Sequence, residues 1–581
     1  MFRIESLYRA GFALGALSLI VFFLGHLGLL SSPFLILALI ASGAVFFISG
    51  WRNNPGTRPP LSKAEWALLL ASFAALLAII PLALLPPAVR DELIQHLALP
   101  RLYLQKGRIF EIGFIGFSYL PQNIDLLYLV PLAFGSDIVP RLIHLGFGVL
   151  TGLLVYFYVS ERAGRAYGLL GFLLYISTPL VFNLSRMAYT DNAAAFYSTL
   201  ALFAALRWKD GFDLKWLLFS AASTGFALGV KYNAAITLIL IGAFIVFHGA
   251  RRRGALEGLR SGALYIFVAL LILSPWLVRN HLWGHNPFYP IYETAVRSSL
   301  SGEGLHVTGE MAPAGKRFLL YKETALDVIL LPLRIFWEGA DNSIERFDGV
   351  LNPLLLLFIP LAFIKKSNGA IKHLALFSLL FFVMAASTAD LATRYLMPAL
   401  PAVIVIAVFG AKNLFEARKE AAIAALAALF AFNAFYASRL YSKYRPFDYL
   451  LGAGARGDYL QATLPDYKAV EYANANLPAN AKVLLLFSGD RGYYWEREYL
   501  YWDRTGVTFE GLVKRYHNDA DGLRAAFKGF GVTHLFVNDR IFEGFANDNF
   551  SADELKGLAE FFQRRSRRVY GANGFSIFEL E

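Results

Sequence analysis

The chain contains no cysteine among its 581 residues. Disulfides, zinc sites with cysteine ligands and thiol catalysis are therefore excluded. Charged residues are also scarce, at 17% of the composition, whereas about 25% is usual for a soluble globular protein. The sequence shows no internal repeat and no low-complexity segment, and its C-terminal part has no glycine-rich phosphate loop. So little charge over this length points to a membrane protein.

Apolar residues make up 57% of the chain, which includes 51 Phe and 29 Tyr. A helix needs about 17–25 apolar residues to cross roughly 30 Å of hydrocarbon. Runs near this length predict about thirteen transmembrane helices, at residues 9–30, 33–50, 64–86, 138–158, 168–183, 193–208, 216–231, 234–249, 262–278, 350–364, 373–388, 396–411 and 421–440. The shorter run 122–134 is interrupted by Pro131, and we interpret it as interfacial or re-entrant. The first run shows no small-residue cleavage site, which predicts a retained helix and not a signal peptide.

The formal net charge of +11 would first suggest nucleic acid as a partner. The positive residues, however, lie mostly in alternate short connections between apolar runs, which is the positive-inside pattern of a membrane protein. The basic residues of these connections are Arg3, Arg9, Arg52, Arg58, Lys63, Arg162, Arg165, Arg207, Lys209, Lys215, Arg251, Arg252, Arg253, Lys365, Lys366, Lys372, Lys412, Arg418 and Lys419. The pattern predicts a cytoplasmic N-terminus, with the long loops 87–137 and 279–349 and the C-terminal segment on the outer side. No nucleic-acid partner is expected.

The composition changes after Leu440. Short apolar runs at 482–488, 533–538 and 568–580 read as strands, and they alternate with helical patterns near 466–477, 523–530 and 552–563. This alternation predicts a small sheet with helices packed on it. The predicted fold is therefore mostly α: a polytopic helical membrane domain over 1–440, followed by a C-terminal extracytoplasmic α/β domain over 441–581.

Two adjacent acidic residues, Asp91 and Glu92, open the run DELIQHLALPRLYLQKG just after the third predicted helix. Carboxylates at a membrane edge cost less than carboxylates at the membrane centre, but they are still not free. Such a residue can cap a helix by accepting from backbone N–H groups, or it can act as a general base, and the sequence leaves both interpretations open. His96 lies one turn after Glu92. It is either a partner for a metal ion or a proton, or an ordinary interfacial side chain.

Further polar residues lie at other predicted outer helix ends. Asp191, in SRMAYTDNAAAF, is either a helix cap or a second acidic site residue, and its loop also carries Arg186. Cations lie outside against the positive-inside trend, where they either snorkel to the interface or hold a phosphate group. These cations and their polar neighbours are Lys231, Tyr232, Arg279, His281, Arg394 and Tyr395.

These motifs together resemble the GT-C membrane glycosyltransferases, in particular the bacterial aminoarabinose transferase and protein O-mannosyltransferase branch. The resemblance rests on the acidic pair followed by HLALPRLYLQKG, and on YTDNAAAF, GVKYNA, SPWLVRNHLWGHNPFYP and RYLMPALP between residues 91 and 401. The first two helices are an addition before the usual first helix of the family. Because two helices were added, the acidic loop stays on the same side of the membrane.

The resemblance implies a hexosyl or pentosyl transferase on the outer face of the bacterial inner membrane. Such enzymes move a sugar from a polyprenyl-phosphate carrier, for example undecaprenyl phosphate, to a lipid, glycan or protein acceptor with inversion. By this resemblance Asp91 is the general base and Glu92 its partner. Lys231, Arg279 and Arg394 hold the donor phosphate. No cofactor is certain. A divalent ion (Mg, Mn or Zn) is left open, with Asp191 and His96 as weak candidates for its ligands.

Three other functions remain as alternatives. A ligase or polymerase of O-antigen type would use a diphosphate-linked donor in related chemistry. A lipid or solute transporter would show repeated halves or charges near the membrane centre, and the sequence shows neither. A non-catalytic assembly protein would have kept the fold without needing the acidic pair and the outer arginine.

Overall fold

The computed structural model describes residues 4–48, 59–291, 313–365, 369–388, 391–452, 454–501 and 508–581. The predicted inside residues Arg3, Arg52, Arg58 and Lys366, and residues 292–312 of the second outer loop, lie outside these ranges. The chain forms two compact units. The first unit comprises Met1–Leu85 and Leu120–Leu450, and the second comprises Pro86–Tyr119 and Leu451–Glu581.

Helices dominate the first 450 residues. Up to residue 291 the α-helices are α1 (Ile4–His26), α2 (Ser32–Ile48), α3 (Lys63–Ala83), α4 (Ala98–Lys106), α5 (Asn123–Ala133), α6 (Val139–Ala163), α7 (Arg165–Ser177), α8 (Pro179–Leu184), α9 (Asp191–Gly211), α10 (Leu214–Val230), α11 (Ala235–Arg253) and α12 (Ala255–Leu282). The following helices are α13 (Pro313–Leu319), α14 (Ala325–Ile329), α15 (Leu331–Arg334), α16 (Leu355–Leu361), α17 (Gly369–Thr388), α18 (Leu400–Ala417), α19 (Lys419–Tyr444) and α20 (Pro446–Leu450). A π-helical turn spans Glu92–His96, and 3-10 turns span Gly116–Tyr119, Tyr232–Ala234 and Thr393–Leu396.

The helix α9 lies in the interior of the first unit. Its residues from Asp191 to Leu206 are all buried, and α6, α10 and α11 pack against it. Because protein surrounds it, α9 accommodates polar side chains such as Ser198 and Thr199, which bond within the bundle. Helices that are covered on all sides do not need a lipid-facing apolar surface. The start of α9, where Asp191 lies, is thus held by its neighbours.

Single glycines join two pairs of neighbouring helices. Gly164 separates α6 from α7 with φ 94°, and Gly254 separates α11 from α12 with φ 96°. These left-handed backbone angles are accessible to glycine without a side-chain clash. The chain can therefore reverse within one residue, so that α6 packs along α7 and α11 along α12.

Eight helices of the described residues are long and apolar enough to cross a membrane: α1, α3, α6, the segment Tyr232–Arg253 that contains α11, α12, α17, α18 and α19. Shorter apolar helices lie at Ser32–Gly43, Asn123–Ala133, Arg165–Ser177 and Leu214–Val230. The predicted class, a polytopic helical membrane protein with a small C-terminal α/β domain, is confirmed. The predicted number of about thirteen spanning helices exceeds the eight that meet these criteria.

Prolines account for some of the differences in helix bounds. The predicted run 168–183 is divided into α7 and α8, because Thr178 adopts an extended backbone before Pro179. The predicted run 350–364 contains only the short α16. The run 122–134, interpreted as interfacial or re-entrant, forms α5, whose side chains from Asn123 to Val130 are buried in the first unit.

The second unit contains a five-stranded sheet. Its strands are β1 (Lys482–Leu486), β2 (Glu498–Tyr501), β3 (His534–Asn538), β4 (Ser566–Ala572) and β5 (Phe575–Leu580), in the order β2-β1-β3-β5-β4. Strands β2, β1 and β3 are parallel, and β5 pairs antiparallel with β3 and β4. The helices of this unit after residue 450 are α21 (Arg456–Thr463), α22 (Tyr467–Asn476), α23 (Phe509–Arg515), α24 (Ala520–Gly529), α25 (Asp539–Asn549) and α26 (Ala552–Arg564).

The two faces of this sheet differ in what covers them. Leu484, Leu486, Leu535 and Val537 lie on one face and form a core with helices that include α24 and α26. Successive side chains of a strand alternate between faces, so that Val483, Leu485 and Tyr501 point to the other face. The sequence predicted β1, β3 and the final strands, but it missed β2.

The division of the chain differs from the predicted domains at two segments, Pro86–Tyr119 and residues 441–450, the second of which belongs to the first unit. The sequence assigned 87–137 to the membrane domain as an outer loop, whereas Pro86–Tyr119 packs as part of the second unit. The acidic pair therefore belongs structurally with the C-terminal part of the chain. The functional assignments of 1–440 as catalytic and 441–581 as extracytoplasmic stay predictions.

Gly410 offers a test of how α16 and α18 pack. A Cβ atom at this position would lie 1.8 Å from the backbone oxygen of Phe358, which cannot move without shifting α16. We expect Gly410→Ala to lower the free energy of unfolding by about 1–3 kcal/mol through overpacking. Thermal unfolding in detergent micelles measures the loss.

Gly146 within α6 is the matched control, because nothing lies within 4 Å of its added Cβ atom. We expect Gly146→Ala to leave stability unchanged or to raise it by up to about 1 kcal/mol, since alanine favours helix. Equal unfolding temperatures for the two variants would contradict the close approach at Gly410.

Candidate active site

The acidic pair lies at the π-helical turn of the second unit. The N–H of Leu97 bonds to the carbonyl oxygen of Glu92 at 2.9 Å, five residues back, and this bond defines the turn. Asp91 precedes the turn with helical backbone angles of φ −68° and ψ −27°. Such turns are rare and often occur at functional sites.

The two carboxylates have different surroundings. Glu92 is fully buried, and its Oε2 accepts a hydrogen bond from the N–H of Val89 at 3.2 Å. Asp91 is only partly buried, and among the described residues its side chain makes no capping hydrogen bond at this turn. Glu92 thus holds the backbone before the turn through this bond. Asp91 is the carboxylate of the pair that has a partly accessible side chain.

His96 ends the π-helical turn and is buried. Within the described ranges, no group of three or more His, Asp and Glu side chains lies close enough together to hold a metal ion. The weak metal candidates His96 and Asp191 therefore gain no ligand set there. Their role as ligands stays a prediction.

Asp191, the first residue of α9, forms an ion pair. Its Oδ1 accepts a hydrogen bond from Nζ of Lys231 at 2.9 Å, where Lys231 ends α10. The capping interpretation of Asp191 is not what the structure shows, because Thr190 occupies the N-cap position. The side chain of Asp191 is 3% exposed and that of Lys231 is 26% exposed. The ammonium group thus neutralises a buried carboxylate while it keeps part of its own surface accessible.

Lys231 and Arg394 converge on one aromatic ring. Nζ of Lys231 lies 4.6 Å from the ring centre of Tyr395, and the guanidinium carbon of Arg394 lies 5.5 Å from the same centre. Arg394 also lies 5.3 Å from the ring of Tyr189 and interacts electrostatically with Asp191. Two cations and one carboxylate thus share a small region with a net positive charge.

Arg279 lies at the end of α12 and is almost fully buried. Its guanidinium carbon is 4.6 Å from the rings of both Trp276 and Trp283, and its Nη2 donates to Oδ1 of Asn280 at 2.8 Å. It also lies close enough to act electrostatically on Tyr232, which follows Lys231 in the chain. Two indole rings therefore hold its planar side chain.

The remaining candidates have simpler surroundings. His281 is exposed at the end of α12. Arg186 is buried, and it donates from Nε to Asn183 at 2.8 Å and from Nη2 to the hydroxyl of Tyr444 at 2.9 Å. These bonds give Arg186 a structural task within the first unit.

His144, which the sequence analysis missed, holds the first turn of α9 next to Asp191. The Nε2 of His144 accepts a hydrogen bond from the N–H of Asn192 at 3.0 Å, and its Nδ1 lies 3.0 Å from the carbonyl oxygen of Leu184. Because Nε2 accepts, Nδ1 must carry the proton, and the ring is neutral. The signal was present in the sequence, since His144 is the one histidine inside the apolar run 138–158.

Comparisons with known proteins show that the chain shares its fold with solved structures. The model of the dolichyl-phosphate-mannose-protein mannosyltransferase family matches residues 130–278, a stretch that contains Asp191 and Lys231. The structure of ArnT from Cupriavidus metallidurans bound to undecaprenyl phosphate matches with a TM-score of 0.55 and 12% identity, over 89% of this chain and 98% of that chain. The apo structure of the same protein matches with a TM-score of 0.52 and 14% identity, over 89% and 98% of the two chains.

The search of curated proteins found no match. At 12–14% identity the structural likeness shows a shared fold. The resemblance to the GT-C glycosyltransferases that the motifs indicated is confirmed by the family match together with this fold. The chain is a multi-pass membrane protein of that architecture.

The ion pair gives a prediction for stability. Lys231→Met leaves the carboxylate of Asp191 buried without its ammonium partner, and breaking a buried pair in this way costs about 3–5 kcal/mol. Because Lys231 is partly exposed, we expect a loss of about 3 kcal/mol. Thermal unfolding in detergent micelles measures it, and adding Asp191→Asn to Lys231→Met is expected to recover most of the loss.

Lys209→Met is the control, because Lys209 pairs at 3.4 Å with Asp210, whose side chain is 69% exposed. Exposed pairs contribute about 0–1 kcal/mol, so this variant should unfold close to the wild type. If Lys231→Met were no less stable than Lys209→Met, the ion pair with Asp191 would not support the bundle.

Proposed function

We propose that this membrane protein is a glycosyltransferase that moves a sugar from a polyprenyl-phosphate carrier to a lipid, glycan or protein acceptor. The observation that carries the proposal is the cluster of Lys231 and Arg394 around Tyr395 in a chain of GT-C architecture. The ArnT structure with this architecture binds undecaprenyl phosphate, which supports a polyprenyl-phosphate carrier here. The family that matches residues 130–278 is described as using a dolichyl-phosphate sugar, which is the same class of donor.

On the donor side, Lys231 and Arg394 are the proposed contacts to the phosphate. Fixed cations stabilise the negative charge that develops on the phosphate as its bond to the sugar breaks. The ion pair with Asp191 holds Lys231 in place, and Arg394 supplies the excess positive charge of the cluster. Arg279 is the third proposed contact, held rigid by its two indole neighbours. Tyr232, Tyr395 and His281 are proposed as neighbouring substrate contacts.

On the acceptor side, Asp91 is the proposed general base. Its carboxylate takes the proton of the acceptor hydroxyl or amine while the acceptor atom bonds to the anomeric carbon of the sugar. The bond between that carbon and the phosphate oxygen breaks, and the electron pair leaves with the phosphate. Attack opposite to the leaving group inverts the anomeric centre, as in the inverting glycosidases. Glu92, which closes the turn beside Asp91, is proposed to hold the backbone of the base.

The proposed location is the bacterial inner membrane, with the N-terminus in the cytoplasm and the second unit on the outer side. The support is the series of short basic connections, of which Arg162, Arg165 and Arg251–Arg253 lie at helix ends in the structure. This orientation gives the C-terminal part of the chain access to acceptors outside the cytoplasm.

The test of the base is a transfer assay with purified protein in lipid. A panel of radiolabelled polyprenyl-phosphate sugars and crude envelope acceptors is offered to the wild type and to Asp91→Asn, with and without EDTA to determine metal dependence. We expect Asp91→Asn to lower the transfer rate by about 10²–10⁴-fold, because general-base catalysis contributes about that factor. Its affinity for undecaprenyl phosphate should stay unchanged.

The control is Asp548→Asn, which changes an exposed carboxylate of the same unit and should transfer at the wild-type rate. If Asp91→Asn folded normally and kept the wild-type rate, Asp91 would not be the base. A diphosphate-linked donor that outperforms the monophosphates would support the ligase-type alternative. Vectorial movement of lipid without transfer would support a transporter.

Arg394 is tested through donor binding. Arg394→Gln removes the guanidinium charge near Tyr395 and Tyr189, and we expect its affinity for undecaprenyl phosphate and its kcat/KM to fall by about 10²-fold. Arg394→Lys keeps the charge and should recover part of both. Arg346→Gln, at an exposed arginine, is the control. Wild-type affinity in Arg394→Gln would remove Arg394 from the donor site.

A further inference from the structure

Strand β2 packs against the segment that carries Asp91. Tyr499 and Tyr501 are two residues apart in the strand and point to the same sheet face. The ring of Phe114 packs edge-on against both, with 5.8 Å and 5.6 Å between ring centres. Both tyrosines are buried. The segment Pro86–Tyr119 thus covers part of the sheet face that lies opposite the Leu484 core.

Hydrogen bonds connect the loop before β2 to the backbone on both sides of Asp91. The N–H of Tyr493 donates to the carbonyl oxygen of Leu93 at 3.0 Å. The hydroxyl of Tyr494 donates to the carbonyl oxygen of Pro87 at 2.7 Å. Asp91 lies between these two acceptors in the chain, so the C-terminal part of the second unit holds its backbone before and after it.

The bond from Tyr493 compensates for the π-helical geometry. In an α-helix the N–H of Leu97 would bond to the carbonyl oxygen of Leu93. Here that N–H bonds to Glu92, so Leu93 takes the N–H of Tyr493 as a donor instead. The irregular turn beside Asp91 is therefore completed by a backbone group about 400 residues later in the chain.

Two further bonds extend the same contact. The hydroxyl of Tyr501 lies 3.4 Å from the carbonyl oxygen of Ile94, inside the turn. Nη1 of Arg101 donates to the carbonyl oxygen of Tyr493, and its guanidinium carbon lies 5.3 Å from the ring of the same residue. The helix that follows the turn is thus tied to the loop that completes it.

The loop that carries Tyr493 is itself anchored. Nη1 of Arg491 donates to Oδ1 of Asp466 at 3.3 Å, just before α22. Burial raises the pKa of Asp466, and Arg491 acts in the opposite direction. Asn474 donates from Nδ2 to the carbonyl oxygen of Tyr494 at 2.9 Å. Anchors on both sides make the loop a fixed support.

We infer that the C-terminal part of the chain is a positioning element for Asp91, in which Tyr494 and Tyr501 hold the π-helical turn and thereby orient the carboxylate. The inference rests on the proposed function of Asp91 as the base. A base displaced by about 1 Å can lose about 10² in rate, so loss of these contacts acts on turnover and not on donor binding.

The test uses full-length protein in lipid and the variant Tyr494→Phe with Tyr501→Phe. Both hydroxyl groups are lost, while the aromatic rings and their packing stay. We expect kcat to fall by about 10–100-fold with unchanged affinity for undecaprenyl phosphate. Hydrogen exchange at the amides of residues 89–97 should become faster, which is a readout that does not depend on turnover.

Tyr472→Phe is the matched control. Its hydroxyl also donates to a backbone carbonyl in the same unit, that of Val569 at 2.9 Å, but away from the acidic segment. This variant should keep the wild-type kcat and the wild-type exchange at 89–97. Equal behaviour of the control and the double variant in both readouts would overturn the positioning role.

The Asp91→Asn background separates this inference from the proposed function. If Asp91 is the base and the tyrosines act through it, adding Tyr494→Phe and Tyr501→Phe to Asp91→Asn should lower the residual rate no further. A full additional loss would show that the tyrosines act independently and would overturn the inference alone. Wild-type turnover in Asp91→Asn would instead overturn the assignment of the base, while faster exchange at 89–97 would still report the structural support.

Discussion

The ion pair between Asp191 and Lys231 joins the start of α9 to the end of α10 and organises the polar end of the helical unit. The carboxylate of Asp191 is not stable alone in the buried bundle, since an unpaired buried charge costs several kcal/mol. The pair therefore fixes the position of Lys231. Lys231 and Arg394 both lie near the ring of Tyr395. Beneath the pair, the neutral ring of His144 fixes the first turn of α9 by accepting from Asn192.

The same dependence on internal partners explains why α9 departs from a simple apolar helix. Membrane lipid offers no hydrogen bonds, so polar groups at this depth must be satisfied by protein. Asn192 donates to Ser185 and to the carbonyl oxygen of His144, at 3.0 Å and 3.1 Å. The proposed donor site would need such a rigid polar framework to bind an anionic substrate, because free charges would otherwise reorient or be neutralised.

The sequence predicted the class of fold because transmembrane helices are specified locally, by apolar length and by basic connections. It also placed Lys231 and Arg394 at helix ends on one side, and the structure brings them to a common ring. It could not reveal the partner of Asp191, because a capping carboxylate and an ion-paired one look alike in sequence.

The membership of Pro86–Tyr119 in the second unit was likewise beyond the sequence. This segment contacts Tyr493 and Tyr494, which lie about 400 residues later in the chain. Neither the π-helical turn nor strand β2, which the sequence analysis missed, has a local sequence signature. Periodicity reports what a segment does with its immediate neighbours in the chain. Periodicity does not indicate which distant strand will pack against that segment.

The order of synthesis gives this long separation a consequence for maturation. The segment around Asp91 leaves the ribosome long before Tyr493 and Tyr494, and at about 5–20 residues per second the delay is on the order of 20–80 s. During this interval the donor to the carbonyl oxygen of Leu93 does not yet exist. A nascent chain that has already inserted its helices therefore still lacks these two hydrogen bonds to the acidic segment, and a chain truncated before Tyr493 never forms them.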